Sequence, residues 1–478
     1  MAENAAEDKK AFNRKLEAVL VEHLPACRSL LSVERLSGGA SQETYRLVVK
    51  DDTGEAGERV LAIRRAAGGV LHNKSELGYP GLSTEALLMQ SAAAAGVPEP
   101  EIHHVLTPGD GLGDGFIMAW LQGETLGARI VRSDQFEAVR PTLAYECGKF
   151  MARIHNIDLQ ATGLAEHLSS IPPREFVQQT WDRYQRFDTP QPMIDYSARW
   201  LLDHLPANHE TRLVHSDFRN GNFMLSASGI VGVLDWELAH IGDPMRDLGW
   251  ICTNSWRFGG SGPVGGFGEY GDLFRGYEEE SGTAVDPIHV RFWEVFGSFW
   301  WAVGCLGMGQ QYRSGPDRTV ERPAIGRRSS ECQVDCVNLL IPGKVSLIPM
   351  PKSTASEDLP RADELLGSVQ DFLRNDVMAA TQSRLNFLVR VAANSLAIVQ
   401  RELAVGVEHR AREHSRLQQF FVSEDDLTSL RWRLVRGLRD GSIELEDAAL
   451  QAHLRHTAVN QLAIDQPSYS GFKTATQT

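Results

Sequence analysis

Residues 213–250 read LVHSDFRNGNFMLSASGIVGVLDWELAHIGDPMRDLGW. Two short apolar runs enclose a polar loop that carries Asp217 and Asn222. This alternation predicts a strand, a loop and a second strand. A turn and a third apolar run follow and end at Asp235. The stretch therefore predicts a hairpin that returns the Asp235 carboxylate towards Asn222.

Two carboxylates and one asparagine at this spacing suit phosphoryl transfer. One acid can orient an attacking hydroxyl and take its proton, while an asparagine and a second acid can hold Mg²⁺ against nucleotide phosphates. Turn formation alone would also explain Asp and Asn residues in a polar loop. Two ordered motifs at hairpin spacing favour the catalytic interpretation.

The stretch resembles the catalytic and metal-binding loops of the aminoglycoside phosphotransferase family, small-molecule kinases related to protein kinases. The protein-kinase motifs H-R-D-x-x-x-x-N and D-F-G correspond here to H-S-D-F-R-N-G-N and D-W-E. The resemblance implies an ATP- and Mg²⁺-dependent kinase, with Asp217 as catalytic base and Asn222 and Asp235 as metal ligands. It also implies that Asp247, in the run G-D-P-M-R-D-L, braces the catalytic loop.

The glycine-rich run S-G-G-A-S-Q separates two predicted strands, and its small residues would let backbone amides approach a phosphate. The run resembles the family's nucleotide-covering loop. The resemblance thus implies nucleotide binding by Gly38, Gly39, Ala40, Ser41 and Gln42.

Arg64 stands where protein kinases carry the lysine of V-A-I-K. It would contact the nucleotide phosphates, and Glu85 would hold it in position. Two simpler interpretations stay open: Arg64 as a surface charge at a strand end, and Glu85 as a first-turn acid favoured by the helix dipole. Met118, Trp120 and Leu121 are expected in the hinge between the lobes, where backbone groups can meet an adenine.

Three departures from the family pattern occur. Serine replaces the usual glycine of His-Gly-Asp, arginine replaces lysine at residue 64, and no glycine follows Asp235. None of them removes a charge that the reaction requires.

The predicted fold class is α+β, a two-lobed protein-kinase-like fold followed by a small all-α domain. Five strand-like runs and one helix predict an N-lobe with a five-stranded antiparallel sheet, and helical periodicity predicts a mainly helical C-lobe. The expected order is an N-lobe with an N-terminal helix (1–121), a C-lobe with the catalytic and acceptor sites (122–341), a linker (342–360), a helical accessory domain (361–465) and a disordered tail (466–478).

Composition limits the classes of partner. The chain has 478 residues, 42% of them apolar, and a net charge of −14. The acidic excess argues against nucleic acid or an anionic membrane surface as partner. Six scattered cysteines predict reduced thiols, and the N-terminus has no signal-peptide pattern. A cytoplasmic protein without a membrane partner is expected.

The acceptor is the least determined feature. Six aromatic residues between 292 and 301 predict a largely buried helix, part of which could wall an apolar acceptor pocket. A hydroxyacyl-CoA or related hydroxy acid is favoured, and aminoglycoside, choline-like and sugar acceptors stay open. A nucleotide-binding pseudokinase or interaction protein is the alternative from another class.

The C-terminal part has its own pattern. An apolar stripe from Leu385 to Leu403 predicts a long helix that faces a core. The run RVAANSLAIVQREL at 390–403 resembles a small helical domain of unassigned role found beside or fused to such kinases. This domain is expected either to pack on the kinase part or to mediate self-association.

Overall fold

A computed structural model describes residues 2–36, 42–66, 79–315, 317–351 and 359–477, with side chains from residue 7 onwards. The strands are β1 (Cys27–Arg35), β2 (Gln42–Glu55), β3 (Glu58–Ala66), β4 (Ile102–Val105), β5 (Gly115–Ala119), β6 (Arg212–Val214), β7 (Phe223–Ser226), β8 (Gly229–Val233) and β9 (His240–Gly242). The helices are α1 (Ala2–His23), α2 (Leu82–Ala94), α3 (Gly127–Arg132), α4 (Leu143–His155), α5 (Pro173–Gln185), α6 (Pro192–Asp203), α7 (Met245–Cys252), α8 (Tyr270–Ser281), α9 (Pro287–Ser314), α10 (Glu321–Arg327), α11 (Ser329–Leu340), α12 (Ala362–Phe372), α13 (Met378–Ala380), α14 (Ser383–Phe421), α15 (Leu427–Asp440), α16 (Ala448–Asp465) and α17 (Ser470–Gln477).

The chain divides into two compact units that do not follow the predicted domain order. The first contains Met1–Pro172, Asn208–Cys252 and Trp256–Pro287, and the second contains the rest. Helices α5, α6, α10 and α11, expected in a kinase C-lobe, therefore group with the C-terminal helices. The predicted linker at 342–360 is not the border between the two units. That residues 361–465 act as a domain of their own stays a prediction.

The first unit contains the predicted five-stranded antiparallel sheet, in the order β1-β2-β3-β5-β4. Alternating residues of β2 and β3, among them Leu47 and Leu61, are fully buried and pack with Leu16 and Leu20 of α1. This period-two burial is why these runs form strands with one apolar face. The α+β fold class expected from the sequence is confirmed. In the same unit, β6 pairs with β9 and β7 pairs with β8.

The second unit is helical and has an aromatic core. Phe292, Trp293, Phe296 and Phe299 of α9 are buried. The Phe296 ring centroid lies 4.7 Å from that of Phe176 on α5 and 5.1 Å from that of Trp293. These contacts confirm the interpretation of this helix as mostly core.

Two expectations for the C-terminal part are wrong. Residues 466–478 were expected to be disordered, but α17 occupies 470–477, because the Tyr469 hydroxyl donates to Asp335 at 2.6 Å and the Asn338 amide donates to the Gly471 carbonyl at 2.9 Å. The second expectation concerns the helix predicted from Leu385 to Leu403. This helix forms within α14, but its apolar stripe does not face a core at either end, because Leu385 and Leu403 are 56% and 52% exposed.

The linker residues that are described, 342–351 and 359–360, form no helix or strand, and residues 352–358 lie outside the described ranges. All six cysteines are buried, which agrees with their interpretation as core thiols. Within the described ranges, no helix combines the length and the apolar character needed to cross a bilayer.

A buried ion pair in the second unit generates a stability prediction. Asp195 of α6 is fully buried and accepts hydrogen bonds from Trp181 (2.8 Å), Tyr184 (3.0 Å) and Arg439 of α15 (2.7 Å). The D195A substitution should lower the free energy of unfolding by about 3 kcal/mol, because it leaves these donors unpaired. Urea unfolding followed by tryptophan fluorescence measures the change. D203A, at an exposed position of the same helix, is the control and should lie within about 0.5 kcal/mol of wild type. Equal midpoints for the two variants would contradict the prediction.

Candidate active site

The polar loop of residues 215–222 is held between two pairs of short strands of the first unit. Leu213 and Val214 of β6, and Phe223 and Leu225 of β7, are fully buried, which fixes both ends of the loop. The backbone amide of Leu234 donates to the Asn222 carbonyl at 2.7 Å. The hairpin therefore brings the residues after β8 next to the loop, as the sequence predicts.

Asp217 is 8% exposed, and its carboxylate accepts hydrogen bonds from three side chains. Oδ1 accepts from Trp250 Nε1 at 2.7 Å and from Arg219 Nε at 2.9 Å. Oδ2 accepts from the side-chain amide of Asn222 and from Arg219 Nη2 at 3.3 Å. These donors fix the direction of the carboxylate.

Asp247 anchors the start of the same loop. Its buried carboxylate accepts from the backbone amides of His215 (2.8 Å) and Ser216 (2.7 Å) and from His155 Nε2 (3.0 Å). Burial alone would raise the pKa of Asp247, but the hydrogen bond from His155 and the nearby imidazoles lower it. The group is therefore a stable anion, and its contacts are those of a brace for the loop.

His215 is fully buried, and burial lowers its pKa. Its Nδ1 accepts from the Asp217 backbone amide at 3.2 Å, so Nε2 carries the proton and donates to the Leu234 carbonyl at 3.2 Å. The neutral ring thus connects the loop to the end of β8.

Arg64 of β3 connects two acids. Its Nη2 donates to Asp235 Oδ1 at 2.7 Å, and its Nε lies 3.3 Å from Glu85 Oε2. Burial works against its charge, but the charges of Glu85 and Asp235 raise the pKa of Arg64. Glu85 also accepts from the Gln42 side chain at 3.0 Å. The structure thus brings Gln42, Glu85, Arg64 and Asp235 together.

A further acid lies beside this group. Burial, and then the charge of Asp235, raise the pKa of Glu237 to about 7. Asp235 itself has a φ of 69° and is 32% exposed at its side chain. The carboxylate of Asp235 and the side-chain oxygen of Asn222 are hard donors of the kind that Mg²⁺ prefers, so the residues present fit this ion.

The expected hinge residues lie where the sheet meets the hairpin. Met118 is paired within β5, and Trp120 lies under the guanidinium of Arg46, 5.6 Å from the ring centroid. A side chain at Gly232 of β8 would collide with Leu121, so this glycine leaves room for it. Gly38, Gly39, Ala40 and Ser41 lie outside the described residues.

Residues 32–282 match the sequence profile of the phosphotransferase enzyme family, and residues 379–469 match a domain of unknown function, DUF6285. The chain belongs to the phosphotransferase enzyme family. It is therefore an enzyme, a small-molecule kinase by family. The second match agrees with the resemblance of the C-terminal part to a helical domain without an assigned role.

Several known proteins are similar to this phosphotransferase over part of their length. Mouse acyl-CoA dehydrogenase family member 10 is 28% identical over 252 residues, which is 51% of this chain and 22% of the mouse protein. Rat acyl-CoA dehydrogenase family member 11 is 26% identical over 249 residues, 49% of this chain and 30% of the rat protein. The similarity thus spans less than a third of either relative.

A solved structure supports the fold. A protein from Ralstonia eutropha assigned as an aminoglycoside phosphotransferase is 22% identical, with a TM-score of 0.54 over 67% of this chain and 95% of that chain. At this identity the likeness shows the fold alone.

Two contacts of Asp217 in the phosphotransferase were not predicted. Arg219 follows Asp217 by two residues, so the loop sequence contained a signal for the contact between them. The guanidinium of Arg219 also lies 4.1 Å from the Trp256 ring centroid. Trp250 lies 33 residues further on. No local pattern indicates that its indole reaches the loop.

The serine that replaces the family's glycine generates a prediction. Ser216 has a φ of 66°, a left-handed conformation that is unfavourable for residues other than glycine. We expect S216G to raise the free energy of unfolding by about 0.5 to 1 kcal/mol. Urea unfolding measures it, and S216A, which loses the hydroxyl but keeps the strain, is the control. If S216G is no more stable than S216A, the greater conformational entropy of glycine in the unfolded chain outweighs the relieved strain, which would contradict the prediction.

Proposed function

We propose that this phosphotransferase transfers the terminal phosphoryl group of ATP to the hydroxyl of a hydroxyacyl thioester or related hydroxy acid, with Asp217 as the catalytic base. The observation that supports it most is the Asp217 carboxylate, held by three side chains in a loop that is itself anchored by Asp247. The acceptor hydroxyl would give its proton to Asp217. Its oxygen would bond to phosphorus as the bond from phosphorus to the bridging oxygen of ATP breaks, which releases ADP.

Asn222 and Asp235 are proposed to hold Mg²⁺. Bound there, the ion would neutralise charge on the phosphate oxygens. The side-chain amide nitrogen of Asn222 donates to Asp217, so the side-chain oxygen Oδ1 of Asn222 is the atom that can face a cation. The side chain of Asn222 would thus contact both the catalytic base and the metal ion.

Arg64 is proposed to contact the phosphates, with Glu85 and Gln42 holding it. An arginine offers a planar fork of donors, so it can contact a phosphate and Asp235 at once. Gly38, Gly39, Ala40 and Ser41 would give backbone amides to the phosphates. The segment with Met118, Trp120 and Leu121 would meet the adenine.

One observation favours an acyl acceptor. The similar mouse and rat proteins are named as acyl-CoA dehydrogenase family members, although this chain matches 22% and 30% of their length. Aminoglycoside, choline-like and sugar acceptors are the alternatives within the kinase class.

The base assignment is tested by D217A. Losing the proton acceptor should lower kcat by about 10² to 10⁴ on the preferred acceptor. ATP consumption is measured with 3-hydroxyacyl-CoA thioesters, choline-like alcohols, sugars and aminoglycosides. D203A, on an exposed helix face, is the control and should keep wild-type kcat. Wild-type protein that binds ATP but is inactive on every acceptor would instead support a pseudokinase.

The role of Arg64 is tested by two substitutions. R64A should raise the KM for ATP by about tenfold, which corresponds to the loss of one charge-assisted hydrogen bond. R64K should recover part of this loss because it keeps the charge without the fork. Steady-state kinetics with varied ATP measure both, and R59A, on the same strand, is the control. An unchanged KM for ATP in R64A would leave Arg64 a structural cation.

A further inference from the structure

A cavity of about 400 Å³ lies wholly within the second unit. Its walls come from the segment between α5 and α6 and from α9, α10, α11, α14, α15 and α16. Phe187, Met193 and Leu454 give it apolar surface, and the exposed Tyr312 lies at its edge. Its volume falls in the range of small-molecule sites.

One side chain of this cavity has no partner among the described residues. His453 of α16 is 3% exposed, and both of its ring nitrogens lack a hydrogen bond within the described parts of the chain. Leaving a buried polar group without a hydrogen bond destabilises the folded protein. Burial lowers the pKa of His453 to about 4, so at neutral pH the ring offers one N–H donor and one acceptor nitrogen.

The charged residues of the cavity are mostly paired with each other. Arg431 donates to Glu413 at 2.7 Å. Arg327 lies 2.9 Å from Asp465 and also donates to Glu402. Arg313, exposed at the end of α9, adds a third guanidinium to the lining, and this cation favours an anionic ligand.

We propose that this cavity binds a small organic hydroxy acid. A hydroxyl group both donates and accepts, so it complements the neutral His453 ring at its two nitrogens. A carboxylate suits the guanidinium of Arg313, and an aliphatic chain suits the surface of Phe187, Met193 and Leu454. The proposal assigns a ligand to the C-terminal helical unit and is independent of the kinase reaction proposed for the first unit.

Titration calorimetry of the full chain without nucleotide tests the proposal, with 3-hydroxyoctanoate as the probe. Wild type should bind it with a Kd below about 1 mM, and octanoate, which lacks the hydroxyl, should bind about tenfold more weakly. H453F keeps a ring but removes both nitrogens, and should weaken 3-hydroxyoctanoate binding by about tenfold. H456Q, three residues along the same helix, is the control and should bind as wild type does.

A second variant and a melting experiment distinguish loss of the binding site from misfolding of H453F. A458L fills part of the cavity without changing its charge, and it should also lose the probe. Without ligand, H453F should melt no lower than wild type, because an apolar ring replaces an unpaired polar one. A lower melting temperature together with unchanged probe affinity would identify ordered water as the partner of His453 and overturn the proposal.

The D217A variant separates this site from the first unit. Probe binding should persist in D217A. Loss of binding in D217A with retention in H453F would place the probe at the first unit's carboxylates and overturn the cavity proposal without touching the proposed kinase reaction. No binding by wild type at about 10 mM probe would overturn the cavity proposal in the same way.

Discussion

The candidate active site depends on one buried anion. Asp247 accepts two consecutive backbone amides, those of His215 and Ser216, and thereby holds the chain in a conformation that serine does not favour. The imidazole of His215 then accepts a hydrogen bond from the backbone amide of Asp217. The direction of the Asp217 carboxylate therefore depends on the fixed backbone of the loop as well as on the side chains that contact the carboxylate. An unpaired charge at this depth would be costly, but three hydrogen bonds offset that cost.

The charge balance of this site is compatible with a bound cation. In its described part, Asp217, Asp235, Glu237 and Glu85 face two guanidinium groups, those of Arg64 and Arg219. Burial, and then the charge of Asp235, raise the pKa of Glu237. A divalent ion bound to Asn222 and Asp235 would relieve this repulsion and free Arg64 for the phosphates of a nucleotide.

What could be predicted from the sequence was local. The hairpin follows from apolar runs and a turn, and the pair of Arg64 and Glu85 follows from a motif resemblance. Trp250 and Tyr469 could not be foreseen, because each reaches its carboxylate across a distance that only the tertiary fold fixes. The expectation that the apolar stripe of α14 faces a core was wrong for a related reason. Helical periodicity identifies an apolar face but not what covers it, and Leu385 is exposed.

The same limit applies to domain borders. A proline-rich stretch suggests a linker, yet Asp195 and Arg439, 244 residues apart, form a buried ion pair within one compact unit. Removing the chain after the linker would remove Arg439 and leave the Asp195 carboxylate without its cation. A truncated protein could then lose activity because its second unit unfolds or because a ligand site is missing, and the loss alone would not distinguish these two causes. Single substitutions at the cavity wall leave the contact between Asp195 and Arg439 in place.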